Sequence, residues 1–392
     1  MTSRTLSHGG PLRAALLCLA ILLAAVPAAR AQLFETRAKE AIMIDAETGT
    51  ILFSKNADRL VPPASLAKLM TMEVVFHAIK SGRLTLDDTF VVSENAWRNG
   101  GAKSGGSTMF AELGSSIRLE DLIKGVIVQS ANDGCIVIAE GMAGSEANFA
   151  RQMTERAREI GLPNSVFKNP DGLPAEGQLV TVRELVTLAR HIWRDYPDFY
   201  TYFGLPEFTW NGIRQRNRNP LLSMNIGADG MKTGFTDKSG YAIVGSVERE
   251  GRRLFVAMSG MASENERSEE ARKMLDWGIR AFQKVALFKD GETVGEAKVF
   301  GGARSTVPLV AKGPVNILVP ITSRDKMAAR IVYTGPVPAP VEQGAPVGAL
   351  KVSIGDMLSQ ETPLFAAEAV ERGSLTQRAV GAVEELLVGW LR

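Results

Sequence analysis

Ser65 and Lys68 stand out in this 392-residue sequence because their types and spacing could support nucleophilic chemistry. At the start of a helix, positions i and i+3 lie on one face, so the hydroxyl and the amine would be neighbours. The same spacing recurs at Ser165, where flanking prolines exclude a helix, and at Ser323, in a charged segment without helical periodicity. Only Ser65 begins an apolar helical pattern. The alternative is that Ser65 merely caps this helix and Lys68 is solvated.

The base for such a serine would have to be a lysine, because histidine is scarce. His77 lies about three turns from Ser65 along the predicted helix, and His191 lies within an amphipathic helical pattern. A lysine can accept a proton once burial or a second cation favours its neutral form. No cluster of residues has the spacing of a metal site, and no phosphate-binding glycine pattern opens a helix. A zinc peptidase and a nucleotide-binding enzyme are therefore disfavoured.

Ser130 and Asn132 form a second candidate pair, in the segment VIVQSANDG. The Ser-x-Asn spacing is weak evidence by itself, because it recurs at Ser93, Ser223 and Ser263. Ser130 differs because it ends a strongly apolar helical run, which would hold its hydroxyl and the Asn132 amide on a buried support. The alternative is an ordinary turn, in which serine, asparagine, aspartate and glycine are common.

Lys-Thr-Gly occurs once, at 232–234, just before two apolar runs in 241–261 that predict a pair of strands. On an edge strand, Lys232 would supply a positive charge, Thr233 a hydroxyl, and Gly234 space for a substrate backbone. The alternative is structural: Lys232 would be a charge that prevents edge-to-edge association, and Gly234 would mark a bulge.

The order Ser-x-x-Lys, Ser-x-Asn, Lys-Thr-Gly resembles that of the β-lactamases and penicillin-binding proteins. More closely, the sequence is similar to the low-molecular-mass penicillin-binding proteins that are serine-type D-alanyl-D-alanine carboxypeptidases, peptidase family S11. The stretches that carry this closer match are VPPASLAKLMT, VIVQSANDGC, FTWNGIRQRNRNPLL and GMKTGFTDKSGY. The resemblance covers nearly the whole chain after the first 31 residues.

The resemblance implies an acyl-enzyme mechanism with defined roles for the first two motifs. Ser65 would be the acylated nucleophile, and Lys68 would take its proton. Ser130 would relay a proton to the leaving D-alanine, while Asn132 would hold the substrate amide and the Lys68 amine. Such a mechanism needs neither a metal nor another cofactor.

The resemblance also implies how the substrate is held. Lys232 would keep the site positive and Thr233 would bind the terminal carboxylate, assisted by Arg218 in the segment RNRN. The backbone N–H groups of Ser65 and Phe235 would form the oxyanion hole. Phe235 departs from those relatives that carry histidine after the glycine. Because this position contributes its backbone, we expect a changed substrate preference and retained activity.

The implied activity is removal of the terminal D-alanine from peptidoglycan pentapeptide stems, with β-lactam antibiotics as covalent inhibitors. Three alternatives stay open: a D,D-endopeptidase, a β-lactamase on the same scaffold, and an inactive penicillin-binding scaffold. No dedicated carboxylate for activating a deacylating water is evident, which disfavours a β-lactamase. All three motifs are intact, which disfavours an inactive scaffold.

Strands from the two ends of one region must position these motifs. Alternating runs in 40–58 predict a hairpin, and those in 241–261 predict a second strand pair. The segment between them is mainly helical and includes a helix opened by a predicted capping box at Thr181 and Glu184. The simplest assembly is an α+β fold in which the terminal strands form an antiparallel sheet. It agrees with the β-lactamase/transpeptidase-like fold that the resemblance implies.

The composition and the hydrophobic period of the sequence change twice after this region. Residues 284–370 are rich in glycine, proline and valine and lack a helical period, which predicts a small all-β domain. A helical period returns in 371–392, whose apolar face could lie in a membrane interface or dock on its own domain or a partner. The expected domains are a signal peptide (1–31), a catalytic domain (32–283), the β-rich domain, and a C-terminal amphipathic membrane-anchor helix.

The first 31 residues have the order of a secretory signal: arginines, an apolar run too short to cross a membrane, and small residues before a predicted cleavage after Ala31. Removing the three arginines of this segment leaves 42 basic and 43 acidic residues, a balance that disfavours nucleic-acid binding. Cys135 would remain as a single buried thiol without a disulfide. We therefore expect a periplasmic protein attached to the outer face of the cytoplasmic membrane by its C-terminal helix.

Overall fold

The computed structural model describes residues 34–322, 326–379 and 382. The strands are β1 (Glu40–Asp45), β2 (Ile51–Lys55), β3 (Thr89–Val91), β4 (Ser116–Arg118), β5 (Glu207–Trp210), β6 (Ile213–Arg216), β7 (Ala228–Thr236), β8 (Gly240–Arg249), β9 (Arg252–Met261), β10 (Phe282–Phe288), β11 (Gly295–Phe300), β12 (Thr306–Val310), β13 (Val315–Pro320), β14 (Met327–Tyr333), β15 (Val337–Pro338), β16 (Pro346–Ile354) and β17 (Met357–Ala366). The α-helices are α1 (Lys68–Lys80), α2 (Leu119–Lys124), α3 (Asn132–Ala143), α4 (Glu146–Glu159), α5 (Val182–Asp195), α6 (Pro197–Tyr200) and α7 (Glu264–Ala281). Short helical turns lie at Ala64–Ala67, Ala96–Gly100, Ala102–Ser104, Gly125–Gln129, Thr201–Gly204 and Pro220–Ser223.

One antiparallel sheet organises residues 36–281, which we call the α+β region. Its strand order is β2-β1-β9-β8-β7, so the hairpin from the beginning of the region pairs through β1 and β9 with strands from its end. Every residue of β1 is buried, because helices cover the sheet there. The predicted sheet of terminal strands, with helices between them in sequence, is confirmed.

Helix α1 lies in the main hydrophobic core. All of its residues from Lys68 to Phe76 are buried, as expected for a helix enclosed on every side. Phe76 stacks on Phe199, with 5.0 Å between ring centroids, and meets Phe203 edge to face. The helix therefore gives rigid support to the residues at its N-terminus.

Three of the longer helices begin with side-chain caps. Ser145, Thr181 and Ser263 each accept a hydrogen bond from the backbone N–H three residues later. The predicted capping box at Thr181 is only half formed. The buried Glu184 carboxylate accepts hydrogen bonds from the backbone and side-chain N–H groups of Asn164, both at 2.8 Å, instead of turning back to Thr181. These donors would otherwise be left unpaired next to the helix start.

Residues 282–372 form the β-rich region that the sequence predicts. Strand β10 pairs with β13, and a six-stranded sheet has the order β14-β16-β17-β12-β11-β15. A separate core fills this region, built chiefly from valine, leucine and alanine side chains. Their alternation with exposed residues, clearest along β11, is the two-residue period of a half-buried strand.

The β1–β2 turn joins the two regions. Thr50 is fully buried there, and its hydroxyl donates to Gln360 Oε1 at 2.8 Å and accepts from the Leu318 backbone N–H at 3.3 Å. At the surface, 2.7 Å separates Lys284 Nζ from Glu47 Oε1. The two regions pack as parts of one compact unit.

Two further predictions concern the ends of the chain. The predicted signal peptide, 1–31, lies outside the described residues. The helix predicted over 371–392 begins later than expected, because Arg372 still bridges to Gly302 in the β-rich region. Its described helical residues are 375–379 and 382, and the rest of it lies outside the described residues. Within the described part of the chain, no helix has the length and apolar content needed to span a membrane.

Candidate active site

Ser65 lies in the 3-10 turn Ala64–Ala67, and helix α1 begins at Lys68. The predicted helix start at Ser65 is therefore wrong by three residues. Ala64 has a φ of +48°, a left-handed conformation that turns the chain sharply after the preceding prolines. Side chains three residues apart eclipse each other in a 3-10 turn, which aligns Ser65 with Lys68. The Lys68 amine accordingly lies 2.9 Å from Ser65 Oγ.

Three oxygen atoms enclose the Lys68 amine. The side chain is 1% exposed, and Nζ donates to Ser65 Oγ at 2.9 Å, to Asn132 Oδ1 at 2.9 Å and to the Asp171 carbonyl at 2.6 Å. A buried amine is tolerated only when its N–H groups are paired. The amide and carbonyl oxygens can only accept, so the serine hydroxyl is the one neighbour able to exchange a proton with Lys68.

Asp171 gives no signal in the sequence motifs, because it contributes its backbone carbonyl and not its carboxylate. Its loop can approach α1 only because Gly172 follows. Gly172 has a φ of +84°, and a Cβ there would lie 1.8 Å from the Ala64 carbonyl oxygen. The proline- and glycine-containing segment NPDGLP is the feature that could have indicated such an approach.

Ser130 follows the helical turn Gly125–Gln129 and has a φ of +65°, which is unusual for serine. Its Oγ is buried and has no hydrogen-bond partner among the described residues. A strained backbone and an unpaired buried hydroxyl both cost free energy, and such costs concentrate at functional sites. This geometry argues against an ordinary solvated turn.

Asn132 opens helix α3, and the following Asp133 fixes its position. Asp133 is fully buried and accepts hydrogen bonds from Thr108 Oγ1 at 2.6 Å and from the backbone N–H groups of Met109 and Ala111 at 3.0 Å. The carboxylate thereby holds this segment against the start of α3. Asp133 is a positioning residue that the Ser-x-Asn motif does not single out.

Lys232, Thr233 and Gly234 lie on β7, an edge strand of the sheet, as predicted. Lys232 is 2% exposed, and its Nζ donates to the Thr233 carbonyl at 3.1 Å. This burial is incompatible with the alternative of a solvated edge charge. A Cβ at Gly234 would lie 3.1 Å from Ala64 Cβ and 3.3 Å from the Ser65 backbone nitrogen. The strand therefore lies directly against the turn that carries the serine.

The other cations predicted for the site act on Lys232. Burial lowers the pKa of Lys232 well below its ordinary value, and the positive charges of Lys68 and Arg218 lower it further. Arg218 is exposed, and its backbone N–H donates to the Val128 carbonyl at 3.1 Å, in the turn that precedes Ser130. The site thus concentrates positive charge around the paired serine and lysine.

Phe235 follows Gly234 on β7 and is 49% exposed. Its ring packs on Tyr241, with 4.3 Å between ring centroids. The two rings form an apolar surface beside the Lys-Thr-Gly segment.

The other Ser-x-x-Lys spacings do not reproduce this site. Ser165 lies outside any helix and donates to the Glu184 carboxylate, so its hydroxyl serves the packing of α5. Ser323 lies outside the described residues.

The remaining candidate groups lie elsewhere. His191 contacts Glu73 Oε1 at 3.2 Å and Asp195 Oδ2 at 2.5 Å, not Ser65. Cys135 is buried and free, and burial raises its pKa to about 12, which makes the thiol unreactive. The described residues include no group of three or more histidine, cysteine or acidic side chains placed to hold a metal.

Known proteins share both regions of this chain. Residues 26–262 match the family described as D-alanyl-D-alanine carboxypeptidase, and residues 282–372 match the C-terminal domain of penicillin-binding protein 5. The chain is 37% identical over 340 residues to the D-alanyl-D-alanine carboxypeptidase DacC of Escherichia coli (strain K12), a match covering 86% of this chain and 85% of that protein. It is 32% identical over 356 residues to DacA of the same strain, covering 90% and 88%.

Solved structures show the same architecture. Penicillin-binding protein 5 from Haemophilus influenzae has a TM-score of 0.74 at 31% identity, over 87% of this chain and 99% of that chain. Penicillin-binding protein D2 from Listeria monocytogenes, in its ampicillin-bound form, has a TM-score of 0.55 at 26% identity, over 63% of this chain and 100% of that chain. The predicted transpeptidase-like fold followed by a small all-β domain is confirmed. With a matched family spanning most of the α+β region and relatives above 30% identity over most of both lengths, this chain belongs to the D-alanyl-D-alanine carboxypeptidases of peptidase family S11.

Proposed function

We propose that this chain is a serine carboxypeptidase that removes the terminal D-alanine from peptidoglycan pentapeptide stems. The observation that carries the proposal is the buried Lys68 amine 2.9 Å from Ser65 Oγ, in a family described by this activity. Relatives named as carboxypeptidases match 86% to 90% of the chain. A D-alanyl-D-alanine endopeptidase of Pseudomonas aeruginosa is 29% identical over 225 residues and covers only 54% of it. The longer matches favour the carboxypeptidase.

In the acylation step, Ser65 Oγ attacks the carbonyl carbon of the penultimate D-alanine while Lys68 accepts the hydroxyl proton. A neutral amine has two N–H donors and one lone pair. Asn132 Oδ1 and the Asp171 carbonyl engage the two donors, which leaves the lone pair for the Ser65 hydroxyl. The backbone N–H groups of Ser65 and Phe235 would stabilise the oxyanion.

In the second half of acylation, the bond between the acyl carbon and the terminal D-alanine nitrogen breaks. Ser130 passes its hydroxyl proton to that nitrogen, and the protonated Lys68 restores the proton of Ser130. The unpaired state of Ser130 Oγ among the described residues supports this role, because its hydroxyl is not engaged elsewhere. D-Alanine leaves, and a water molecule later hydrolyses the ester on Ser65.

The free carboxylate at the end of the substrate explains the concentration of cations. Lys232 would supply a positive potential, and the Thr233 hydroxyl would bind the carboxylate. Arg218, whose backbone bonds to the turn before Ser130, would assist in binding the carboxylate. Gly234 would let the substrate backbone lie along β7 without obstruction. A positive site with apolar walls also attracts anionic substrates from solution.

Intact-protein mass spectrometry with a penicillin, and then with a pentapeptide, tests the proposal. We expect one covalent adduct, mapped to Ser65, and release of D-alanine from the peptide. Ser65→Ala should abolish both, whereas Ser223→Ala, an exposed serine in another Ser-x-Asn tripeptide, should abolish neither. Labelling that persists in Ser65→Ala would refute the assignment. Faster turnover of penicillin than of pentapeptide would indicate a β-lactamase, and faster cleavage of crosslinked dimers an endopeptidase.

We also infer export directed by residues 1–31 and attachment to the outer face of the cytoplasmic membrane through 371–392. Leu375, at the start of the described helical residues, is 81% exposed, which favours an external apolar partner over docking on the β-rich region. Deleting 373–392 should move the protein from the membrane fraction to the soluble fraction. Unchanged fractionation would contradict the attachment.

We propose that the functional domains divide near position 283, with a catalytic domain over 32–283 and a β-rich domain over 284–370. Strand β10 begins at Phe282, the first matched family ends before it at 262, and the second begins with it at 282. Separate hydrophobic cores support this division.

A further inference from the structure

A second cleft, of about 360 Å³, lies between α5 and the β1–β2 hairpin. We call it the α5 cleft and define it by the residues Ile42, Ile44, Val186, Arg183, Arg190 and Arg194. None of its lining residues belongs to the site around Ser65. Its volume suits a small organic molecule, because ligand cavities in proteins commonly begin at roughly 300 Å³.

Three arginines form one wall of the α5 cleft. Arg183, Arg190 and Arg194 follow one another along α5 at spacings of seven and four residues, which places them on one face. Asp58 neutralises Arg183 through two hydrogen bonds of 2.6 and 2.9 Å. Asp195 accepts from Arg194 at 2.8 Å. Two of the three positive charges therefore already have a carboxylate partner.

Arg190 differs, because no carboxylate among the described residues pairs with it. Its guanidinium donates to the carbonyl oxygens of Ala46 at 2.7 Å and Glu47 at 3.1 Å, in the β1–β2 turn. Burial and the positive charge of Arg194 lower the pKa of Arg190 below its usual value. Two of the five guanidinium N–H groups are engaged, so three remain for a ligand. The half-buried guanidinium is thus held in place by two backbone carbonyls, and Asp45 offsets part of its charge without forming an ion pair with it.

The base of the cleft is aliphatic, and Gly49, Thr187 and His191 complete its lining. Ile42, Ile44 and Val186 are buried at its base, and Ile51 and Ile160 are partly buried beside them. Such a surface gains from contact with an alkyl or other apolar group that displaces water. A cationic wall beside an aliphatic base fits a ligand that combines the two chemistries.

We propose that the α5 cleft binds a small organic oxyanion, a carboxylate or a phosphate ester joined to an apolar group. The oxyanion accepts hydrogen bonds from the free N–H groups of Arg190, Arg194 adds a second cation, and the apolar group lies on Ile44, Ile51 and Ile160. The planar fork of arginine matches the paired oxygens of carboxylates and phosphates. This binding does not depend on the catalytic activity proposed above.

His191 also borders the cleft, but its ring nitrogens are already engaged. They lie 3.2 Å from Glu73 Oε1 and 2.5 Å from Asp195 Oδ2. Glu73 is fully buried on α1 and also accepts from Arg156 at 2.9 Å and from Tyr196 at 3.0 Å. His191 therefore belongs to the packing of α1, and a substitution there would disturb the catalytic helix.

Isothermal titration calorimetry of the purified full chain tests this proposal with four probes: hexyl phosphate, hexanoate, inorganic phosphate and hexanol. We expect at least one of the two hexyl anions to bind at least about tenfold more tightly than inorganic phosphate and hexanol, since it meets both surfaces of the cleft. Tighter binding of hexyl phosphate assigns a phosphate ester, and tighter binding of hexanoate assigns a carboxylate.

Variants separate the cleft from the catalytic site, whose Lys232 could also attract an anion. Arg190→Gln should weaken binding about tenfold or more, because a charge-assisted hydrogen bond is lost. Arg194→Gln should weaken binding by a smaller but measurable factor, because the exposed Arg194 adds a charge that Asp195 already partly neutralises. Arg151→Gln is the matched control: it removes an exposed arginine on α4 whose carboxylate neighbour, Glu155, is 3.8 Å away. Its affinity should equal that of the wild type.

Thermal unfolding without ligand shows whether each variant is folded. If Arg190→Gln does not fold because the half-buried Arg190 is needed for stability, Arg194→Gln still tests the proposal, because Arg194 is exposed. Failure of both hexyl anions to bind, or equal affinities in the wild type and the folded cleft variants, would overturn the proposal.

Discussion

The α+β region and the β-rich region bury different kinds of side chain. Among the described residues of the β-rich region, only two polar side chains are buried, Ser359 and Gln360, and Gln360 contacts Thr50 at the junction. The α+β region buries many more, including Lys68, Glu73, Asn132, Asp133 and Lys232. Burying charged and polar groups costs free energy unless each is paired. The contrast indicates that the α+β region buries polar groups that its chemistry needs although this lowers its stability. The β-rich region is instead stabilised mainly by apolar packing.

Two unpaired buried hydroxyls, one in each region, allow the strongest test of this contrast. Neither Ser130 Oγ nor Ser359 Oγ has a hydrogen-bond partner among the described residues. Ser130→Ala should slow D-alanine release about 10²- to 10⁴-fold, the usual range for loss of a proton-transfer group. Ser359→Ala should leave the rate unchanged. The rate of D-alanine release from a pentapeptide measures both effects. Equal losses in the two variants would show that the buried hydroxyls of the two regions do not differ in function.

The same pair predicts a stability result. Because alanine removes an unsatisfied hydroxyl, neither substitution should lower the free energy of unfolding in urea. A clear destabilisation by Ser130→Ala would show that its hydroxyl has a structural partner and would weaken its assignment as a proton relay.

Substituting two glycines in the left-handed conformation should change activity less than Ser130→Ala does. Gly172, beside Asp171, has a φ of +84°, and a Cβ there would overlap the Ala64 carbonyl at 1.8 Å. Gly313, in the β-rich region, has a φ of +94° and nothing within 4 Å. Gly313→Ala should lose about 1–2 kcal/mol from the unfavourable backbone conformation, and Gly172→Ala should lose more, because its Cβ would also overlap the Ala64 carbonyl oxygen. Gly172→Ala should also lower kcat/KM about tenfold to hundredfold, because it displaces the carbonyl that holds Lys68.

Kinetics and urea unfolding of the two glycine variants separate these effects. Unchanged kcat/KM in a folded Gly172→Ala protein would show that the Asp171 carbonyl does not position the base. An activity loss in Gly313→Ala would show that the β-rich region influences catalysis.

The smallest expected effect is on the pH dependence. Because the pKa of Lys232 is lowered, its charge is lost at a pH below the ordinary lysine value of 10.5. As the pH rises through that lowered pKa, kcat/KM for the carboxylate substrate should fall, mainly through a higher KM. Lys232→Arg keeps its charge, so this alkaline limb should move to higher pH even if the overall rate is reduced.

A matched lysine in the β-rich region sharpens the pH test. Lys284 is exposed and pairs with Glu47 at the junction. Lys284→Arg should reproduce the wild-type pH profile of kcat/KM. Identical alkaline limbs in the wild type and Lys232→Arg would show that the Lys232 charge does not bind the substrate.

Local patterns predicted much of the fold. The alternating runs that became β1, β2, β8 and β9 predicted an antiparallel sheet of terminal strands, because a two-residue period is visible in sequence. The loss of helical period after Phe282 predicted the β-rich region for the same reason. The exact start of α1 and the partner of Glu184 were wrong. Both depend on which groups happen to lie nearby in space, and not on neighbours in sequence.

The candidate site was predicted in part. The order of the motifs indicated Ser65, Lys68, Ser130 and the Lys-Thr-Gly strand, because the type and spacing of reactive side chains can be seen directly in the sequence. Asp171 was missed, since a backbone carbonyl has no sequence signature, and only the Cβ-free surface of Gly172 lets it reach Lys68. The α5 cleft likewise has no motif.

The sequence by itself determined which chemistry is available: a serine, a lysine, a second serine with an asparagine, and a Lys-Thr-Gly segment. Only the tertiary structure decided that Lys68 is 1% exposed between Ser65, Asn132 and Asp171, and that Lys232 is buried beside it. The physical reason is that burial and charge proximity are produced by the meeting of distant segments. Residue type gives a lysine its ordinary pKa, and those two properties shift it, as they do for Lys232.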